Sequence, residues 1–165
     1  MRRLLLIRHA KSSWKDDSLD DHERPLNRRG ERDSLSMARH LADGGEQLDV
    51  IFSSTATRAL DFAQLISEFT GFTLVPDLTF YTFDADELLE ILRSLPEDAN
   101  SVAIVAHNPA ITQVANRLGG AEIDNVPTAG IVALNCEIER WEQLGEDADR
   151  CELDYFESPK ILNLQ

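Results

Sequence analysis

Short runs of apolar residues alternate along the chain with longer segments in which apolar side chains recur every three or four positions. The short runs are typical of buried β-strands, and the longer segments have the period of helices that bury one face. Strands are predicted at residues 3–8, 48–52, 73–75, 101–106, 131–137 and 152–157. Helices are predicted at residues 31–43, 55–70, 84–95 and from Pro109 to the glycine pair 119–120.

This alternation predicts the fold class, because strands separated by helices favour a parallel sheet that is covered on both faces. We expect an α/β protein: a three-layer α/β/α sandwich with a mostly parallel central sheet, in which the last two strands lie at the edge. The chain contains no internal repeat, low-complexity tract or linker. Residues 1–165 are therefore expected to form a single domain.

The first strand is followed by a long polar segment, residues 10–30, before the first helix begins. Loops of this length are uncommon in compact domains unless they have a function. Ligands of open α/β sheets bind at the carboxyl ends of the strands, where this loop starts. The loop is therefore predicted to form one wall of a functional site.

The composition predicts an ordinary cytoplasmic protein. With 42% hydrophobic residues, a chain of 165 residues can bury a core without a metal or a disulfide. Cys136 and Cys151 match no zinc-finger or redox-motif spacing, and we expect them to be reduced thiols. The apolar run at residues 4–7 is too short for a membrane span or for the core of a signal peptide.

The net charge of −14 is distributed unevenly. Residues 1–60 carry 11 Lys and Arg against 10 Asp and Glu, whereas the rest of the chain carries 5 against 20. Such a field repels polyanions, so nucleic acid and anionic membrane surfaces are not expected as partners. An anionic ligand must instead be bound by a few local cations, most of them in the first third of the chain.

Several familiar signatures are absent from the sequence. It contains no GxxxxGK[ST] phosphate loop, no GxGxxG and no GxSxG nucleophile elbow. The stretch that begins like HExxH at His22 has Leu26 in place of the second histidine. No metal ion and no cofactor are therefore predicted.

Histidines and arginines follow several predicted strands at their carboxyl ends. Arg8 and His9 lie at the end of the first predicted strand, and His107 follows the fourth. Arg58 lies in the first turn of the helix after the second strand. Guanidinium groups bind phosphate oxygens in pairs and stay charged, and a neutral imidazole can attack phosphorus. This combination of residues predicts a site for phosphoryl groups.

The same residues carry a resemblance to a known family. Residues 8–12 (RHAKS), 54–59 (STATRA) and 107–109 (HNP) resemble, in this order, three motifs of the histidine phosphatase (phosphoglycerate mutase-like) superfamily. Within that superfamily, residues 20–30 (DDHERPLNRRG) and 158–160 (SPK) resemble the SixA-type phosphohistidine phosphatases. The similarity extends over nearly the whole chain and implies the phosphoglycerate mutase-like fold.

The resemblance implies roles for individual residues. His9 would be the nucleophile and become transiently phosphorylated, and Arg8, Arg58 and His107 would hold the phosphoryl oxygens. Further substrate contacts are expected from two loop residues, Ser12 and Arg24. The activity implied is that of a metal-independent hydrolase.

The general acid is the main departure from the family pattern, because no residue matches the glutamate that protonates an alkoxide leaving group in related enzymes. Asp21 is the principal candidate, and Asp16, Asp17, Asp20 and the carboxylates at residues 84–87 remain alternatives. A protonated imidazole leaves phosphorus more readily than an alkoxide does. A weak acid is therefore compatible with a phosphohistidine substrate.

The leading hypothesis is a phosphatase that acts on phosphohistidine in a protein, such as a histidine phosphotransfer domain, through a phosphohistidine enzyme intermediate. One alternative is a small-molecule phosphomonoesterase on the same scaffold. Another is a phosphate-binding regulatory module without turnover.

Overall fold

The computed structural model describes residues 1–147 and 150–164. Within these ranges, six strands form one sheet: β1 Arg2–Arg8, β2 Val50–Ser53, β3 Leu74–Pro76, β4 Ser101–Ala106, β5 Ile131–Cys136 and β6 Cys151–Glu157. Four α-helices connect and cover the strands: α1 Arg28–Asp43, α2 Thr57–Thr70, α3 Ala85–Arg93 and α4 Ala110–Gly119. No helix in the described ranges is long and apolar enough to span a membrane.

The sheet has the order β3-β2-β4-β1-β5-β6. Strands β1, β2, β3 and β4 run parallel to one another, whereas β5 pairs antiparallel with β1 and β6 pairs antiparallel with β5. The prediction of an α/β fold with a mostly parallel sheet is confirmed. The order places β1 and β4 side by side at the centre, which matters for the site because both strands lead into it.

The two faces of β1 pack into two separate apolar cores, as expected from side chains that alternate across a strand. Leu4 and Leu6 pack into a core shared with α3 and α4. Leu5 and Ile7 pack into a core on the opposite face, shared with α1 and α2. All four side chains are fully buried, and the predicted three-layer arrangement is confirmed.

Strand β5 differs from its prediction, which placed it at the edge of the sheet. It lies between β1 and β6, and β6 alone occupies that edge. The reason is visible in its side chains, since Ile131 and Ala133 face one apolar core while Val132 and Leu134 face the other. A strand that is buried on both faces needs a neighbour on both sides to satisfy its backbone.

All four helices begin one to three residues away from their predicted starts. Helix α1 begins at Arg28, three residues before the predicted start at residue 31, because the Asn27 side chain accepts a hydrogen bond from the Gly30 N–H (2.8 Å) and caps the helix. Helix α4 begins one residue after Pro109 rather than at it. The other predicted bounds lie within two residues of the observed ones.

The two cysteines correct a prediction as well. The expected reduced thiols are instead joined in a disulfide between Cys136 and Cys151, whose Cα atoms lie 4.0 Å apart. The two residues are direct partners in the β5–β6 register. Pairing across neighbouring antiparallel strands is a tertiary property, and the spacing of two cysteines in a sequence does not reveal it.

The two ends of the loop over residues 10–30 are joined by backbone hydrogen bonds. Ser13 N–H donates to the Pro25 carbonyl (2.8 Å), and Asn27 N–H donates to the Lys11 carbonyl (3.0 Å). Gly30, in the first turn of α1, packs directly on the Lys11 backbone, and a Cβ at this position would overlap the Lys11 carbonyl. This close approach therefore requires glycine and holds the start of the loop beside α1.

We predict that Gly30→Ala destabilises the protein by about 1–3 kcal/mol, because the new methyl group displaces the Lys11 backbone. Alanine normally stabilises a helix relative to glycine, so a loss of stability in this variant would come from the overlap with Lys11. Urea unfolding would measure the free energy of unfolding. Gly44→Ala is the matched control, since its Cβ would meet no atom closer than 3.2 Å. Equal stability of the two variants would contradict this account of the loop.

Candidate active site

The central strands deliver the predicted residues to one edge of the sheet. Strands β1 and β4 are parallel and in register, with Arg8 opposite Ala106. His9 and His107, which follow these two residues, therefore emerge side by side. Strand β2 lies on the other side of β4, and the helix that follows it carries Arg58 in its first turn.

The two histidines form a buried pair. Their ring centroids lie 5.2 Å apart, and the His9 and His107 side chains belong to residues that are 8% and 0% exposed. Nδ1 of His9 lies 2.7 Å from the Ala10 carbonyl oxygen. Because a carbonyl can only accept, Nδ1 carries the proton and Nε2 keeps its lone pair. His9 thus has an unprotonated ring nitrogen for nucleophilic attack.

His107 is oriented by two partners. Its Nε2 lies 2.7 Å from Oγ of Ser54, and Nη2 of Arg58 lies 3.5 Å from its Nδ1. Since the guanidinium can only donate, Nδ1 is an acceptor and Nε2–H donates to the serine. Ser54, at the end of β2, was not predicted as a site residue, although it lies in the motif that precedes Arg58.

Both rings are neutral at physiological pH. Burial lowers the pKa of His9 to about 3, and the nearby charges of Arg58, Arg8 and Arg24 lower it as well, against the hydrogen bond to Ala10. Burial likewise lowers the pKa of His107 to about 2, aided by His9 and Arg58. The nucleophile is therefore available without the loss of a proton.

The arginines bring positive charge and unused donors into this buried space. The Arg58 side chain is 2% exposed, and burial, followed by the charge of Arg58, lowers the pKa of Arg8. Arg8 donates through Nη1 to the Val126 carbonyl (3.0 Å). In the described part of the chain, the buried Nε atoms of Arg8 and Arg58 have no acceptor. Buried donors are nearly always satisfied, so this pair indicates a site for an anion.

Asp21 joins the loop to this cluster. Its Oδ2 accepts from Nη2 of Arg58 (2.9 Å) and from the Tyr81 hydroxyl (2.7 Å), and its Oδ1 accepts from Nε of Arg24 (3.2 Å). Burial raises the pKa of Asp21, but the hydrogen bonds from Tyr81 and Arg58 outweigh it and hold the pKa at about 2. Asp21 is therefore ionised in this arrangement, and its predicted role as an acid stays a prediction.

The other carboxylates left open by the sequence are all exposed: Asp16, Asp17, Asp20, Asp84, Asp86 and Glu87. Asp84 caps α3 by accepting the Glu87 N–H, and Asp86 pairs with Arg117. Asp16 accepts hydrogen bonds from Ser18. Each of these observed contacts gives its carboxylate a local structural role.

The remaining predicted residues differ in their placement. Arg24 is close enough for its charge to lower the pKa of His9, and its guanidinium stacks 3.4 Å from the Trp14 ring. Ser12 is buried, and its backbone forms an isolated antiparallel β-bridge with Leu26. Among the described residues, its hydroxyl has no hydrogen bond to the histidines and arginines of the site. The structure therefore brings together Arg8, His9, Arg58, His107 and Arg24, and the substrate contact of Ser12 stays a prediction.

Aromatic residues that the sequence did not predict line the mouth of the site. Tyr81 and Phe83 lie with their ring centroids 5.3 and 5.1 Å from that of His107. His22 meets the Tyr81 ring edge-on at 4.8 Å and contacts Oγ1 of Thr55 through Nε2 (2.7 Å). No strand or helix period marks residues 81–83, so nothing in the hydropathy pattern indicates this placement.

Among the described residues, no group of three or more His, Cys, Asp or Glu side chains could hold a metal ion. The acceptors around the cluster are single carbonyl or carboxylate groups, and the positive charge comes from guanidinium groups. The arrangement is suited to holding a dianion beside an imidazole nucleophile.

Comparisons with known proteins identify the family and the fold. Residues 4–81 match the family model described as histidine phosphatase superfamily (branch 1). An uncharacterized chloroplastic protein of Arabidopsis thaliana is 33% identical over 156 residues, which cover 86% of this chain and 70% of that protein.

Solved structures show the same fold. A protein of Agrobacterium tumefaciens that is assigned as the phosphohistidine phosphatase SixA superposes with a TM-score of 0.79 and 27% identity, over 96% of this chain and 98% of that one. A mycobacterial glucosyl-3-phosphoglycerate phosphatase superposes with a TM-score of 0.68 and 18% identity, over 96% and 100% of the two chains. The chain therefore belongs to the histidine phosphatase superfamily (branch 1), with the SixA-type fold that its sequence predicts.

Proposed function

We propose that this protein removes the phosphoryl group from a phosphohistidine side chain of another protein, by way of a phosphohistidine formed on its own His9. One observation carries the proposal: a neutral, buried imidazole with a free Nε2 lies beside buried guanidinium groups that have donors without acceptors. That combination joins a nucleophile to a binding site for the group it would attack. The likeness to the Agrobacterium tumefaciens protein supports the choice of substrate.

The first step transfers the phosphoryl group in line. Nε2 of His9 forms a bond to phosphorus as the N–P bond of the substrate breaks, and the departing imidazole nitrogen takes a proton from solvent. Attack leaves the His9 ring positively charged. The Ala10 carbonyl, which accepts from Nδ1–H, stabilises that charge.

The second step returns the enzyme to its starting state. A water oxygen bonds to phosphorus while the bond to Nε2 of His9 breaks, and orthophosphate is released with the water's protons shared between phosphate and solvent. Arg8 and Arg58 would hold the equatorial oxygens in both steps, with Arg24 adding charge nearby. The neutral His107 ring, whose Nδ1 accepts from Arg58, would hold that guanidinium in position. A loose transition state needs positioning and positive charge, which this cluster supplies.

The state of Asp21 supports an N–P substrate over a phosphomonoester. An alkoxide leaving group needs a proton donor, and the carboxylate nearest the cluster is held ionised by Arg58 and Tyr81. An imidazole leaving group can be protonated by water. We therefore propose Asp21 as a positioning residue for Arg58 and Arg24, a role consistent with its three side-chain contacts.

The proposal extends to the partner and the setting. A histidine phosphotransfer domain or a similar phosphorylated protein is the proposed substrate, and the reaction is proposed to need no metal ion. We also propose that the chain acts as one domain and in the cytoplasm. A reducing cytoplasm would open the disulfide between Cys136 and Cys151. The proposed site does not depend on this bond, because neither β5 nor β6 carries a residue of the cluster.

Phosphate release from matched substrates tests the proposal. We predict that the protein hydrolyses a phosphohistidine-bearing protein in preference to a panel of phosphomonoesters, and that a chelator does not change the rate. His9→Ala should abolish both turnover and the acid-labile phosphoenzyme. His40→Ala is the control and should keep both, because His40 lies on α1 and pairs with Glu157 of β6. Preference for a monoester would instead make the protein a small-molecule phosphatase. Stoichiometric phosphate binding without a phosphoenzyme would make it a regulatory module.

The lowered pKa values of the two site histidines predict a distinctive titration. From about pH 8 down to about pH 5, the NMR signals of the His9 and His107 rings should not move, because neither ring gains a proton. His9→Ala and His107→Ala would assign the signals by their loss. A titration centred near the ordinary value of 6.5 for either ring would contradict the assignment of buried, neutral imidazoles.

The same shifts have a consequence for stability. An unfolded histidine binds a proton near pH 6.5, whereas folded His9 binds one only near pH 3. The unfolded state therefore holds more protons in this window, and the histidine contribution to stability falls as the pH drops from about 6.5 to about 3.

We predict that Asp21→Asn lowers the rate about ten- to a hundredfold and by a similar factor for good and poor leaving groups, because the change disturbs the position of Arg58. Rates on phosphohistidine, para-nitrophenyl phosphate and phenyl phosphate would measure it. Asp154→Asn, which removes a carboxylate paired with Arg3, is the matched control and should leave all three rates unchanged. A loss confined to the poor leaving groups would restore the acid role of Asp21.

A further inference from the structure

An aromatic wall extends from the nucleophile to the surface. The His107 ring contacts the His9 ring on the inside, with centroids 5.2 Å apart, and contacts the Phe83 and Tyr81 rings at 5.1 and 5.3 Å. Phe83 and Tyr81 also contact each other, with an edge-to-face geometry at 5.5 Å. We call Tyr81 and Phe83 the aromatic wall.

Phe83 lies partly in solvent and partly against the buried cluster. It is 44% exposed, although its ring packs against the fully buried His107. The exposed aromatic residues in the described part of the chain are Trp14, Phe69 and Phe83. Trp14 stacks on Arg24, so two of the three lie at the site, and Phe69 lies near the end of α2.

The direction of phosphoryl transfer relates the aromatic wall to the substrate. The leaving group departs on the side of phosphorus opposite the attacking nitrogen. His9 is buried at the bottom of the site, so the leaving group lies toward solvent. Within the aromatic wall, Phe83 is 44% exposed to that solvent while its ring packs against His107 of the cluster. It therefore offers ring surface where the leaving group would be.

We propose that Phe83, supported by Tyr81, is a specificity-determining residue that recognises the leaving imidazole of the substrate by ring stacking. This inference rests on the proposed phosphohistidine phosphatase function and adds the means by which the leaving group is selected. Planar rings stack on aromatic side chains in offset or edge-to-face geometry, and the edge-to-face Tyr81 fixes the Phe83 ring from the side. An aliphatic or inorganic amine leaving group would gain nothing from this surface.

The proposal predicts selectivity between two substrates that share the N–P bond. 3-Phosphohistidine releases an aromatic ring, whereas phosphoramidate releases ammonia. Stacking of one ring on another corresponds to about a two- to tenfold effect on kcat/KM. Phe83→Leu keeps an apolar side chain and removes the aromatic face, so it should lower kcat/KM about two- to tenfold for 3-phosphohistidine and leave phosphoramidate unchanged.

Two further variants separate ring stacking from a general effect on packing. Phe83→Tyr should retain the wild-type preference, because it restores the ring. Phe69→Leu removes an exposed phenylalanine away from the site and should change neither substrate. Circular dichroism would confirm that each variant keeps the fold.

The outcomes are distinguishable. If the wild-type protein hydrolyses phosphomonoesters better than either N–P substrate, the proposed function fails. If the wild type prefers 3-phosphohistidine but Phe83→Leu slows both N–P substrates equally, or neither, the inference about Phe83 is overturned and the proposed function stands. A selective loss on 3-phosphohistidine that is recovered in Phe83→Tyr supports the inference.

Discussion

Buried positive charge at the carboxyl edge of the sheet is the constraint on which the rest of the site depends. Removing a guanidinium from water is costly unless it is paired, and Arg58 is almost completely removed from solvent. Asp21 supplies a single carboxylate, while Arg8 has a carbonyl partner. The cluster is therefore left with an excess of positive charge and with donors that have no acceptor. A phosphoryl dianion would neutralise the charge and accept from the donors.

The same desolvated charge explains the state of the histidines. Buried beside guanidinium groups, His9 and His107 lose their affinity for protons, and this keeps a nitrogen lone pair on each ring. The fold makes the arrangement possible because β1 and β4 are parallel neighbours in register, so that their next residues emerge together. Alternating apolar side chains on β1 anchor that strand in both cores and fix the position of His9.

The sequence predicts much of this because the relevant signals are local. Apolar runs locate the strands, and strand ends locate Arg8, His9, Arg58 and His107. Other features depend on contacts between distant segments. The position of β5 between two strands and the pairing of its Cys136 across to β6 follow from sheet order, which periodicity does not encode.

The contacts of the loop at the site could not be predicted from the sequence either. The sequence predicts Asp21 as a solvated charge or an acid, whereas the fold places Arg58, Arg24 and Tyr81 around its carboxylate. Tyr81 reaches it from 60 residues away along the chain. The aromatic wall has no local signal at all, since it lies in an irregular stretch between β3 and α3. The conformation of the loops thus decides which side chains surround Arg58 at the site.

Calorimetric titration with orthophosphate tests the central claim most directly, because it measures the buried cationic cluster without requiring turnover. The account predicts binding of one phosphate per protein. Arg58→Lys, which keeps the charge and loses the paired donors, should weaken that binding by about tenfold or more. Arg117→Lys, on the exposed face of α4, should bind like the wild type. Unchanged phosphate affinity in Arg58→Lys would contradict the assignment of this cluster as the phosphoryl site.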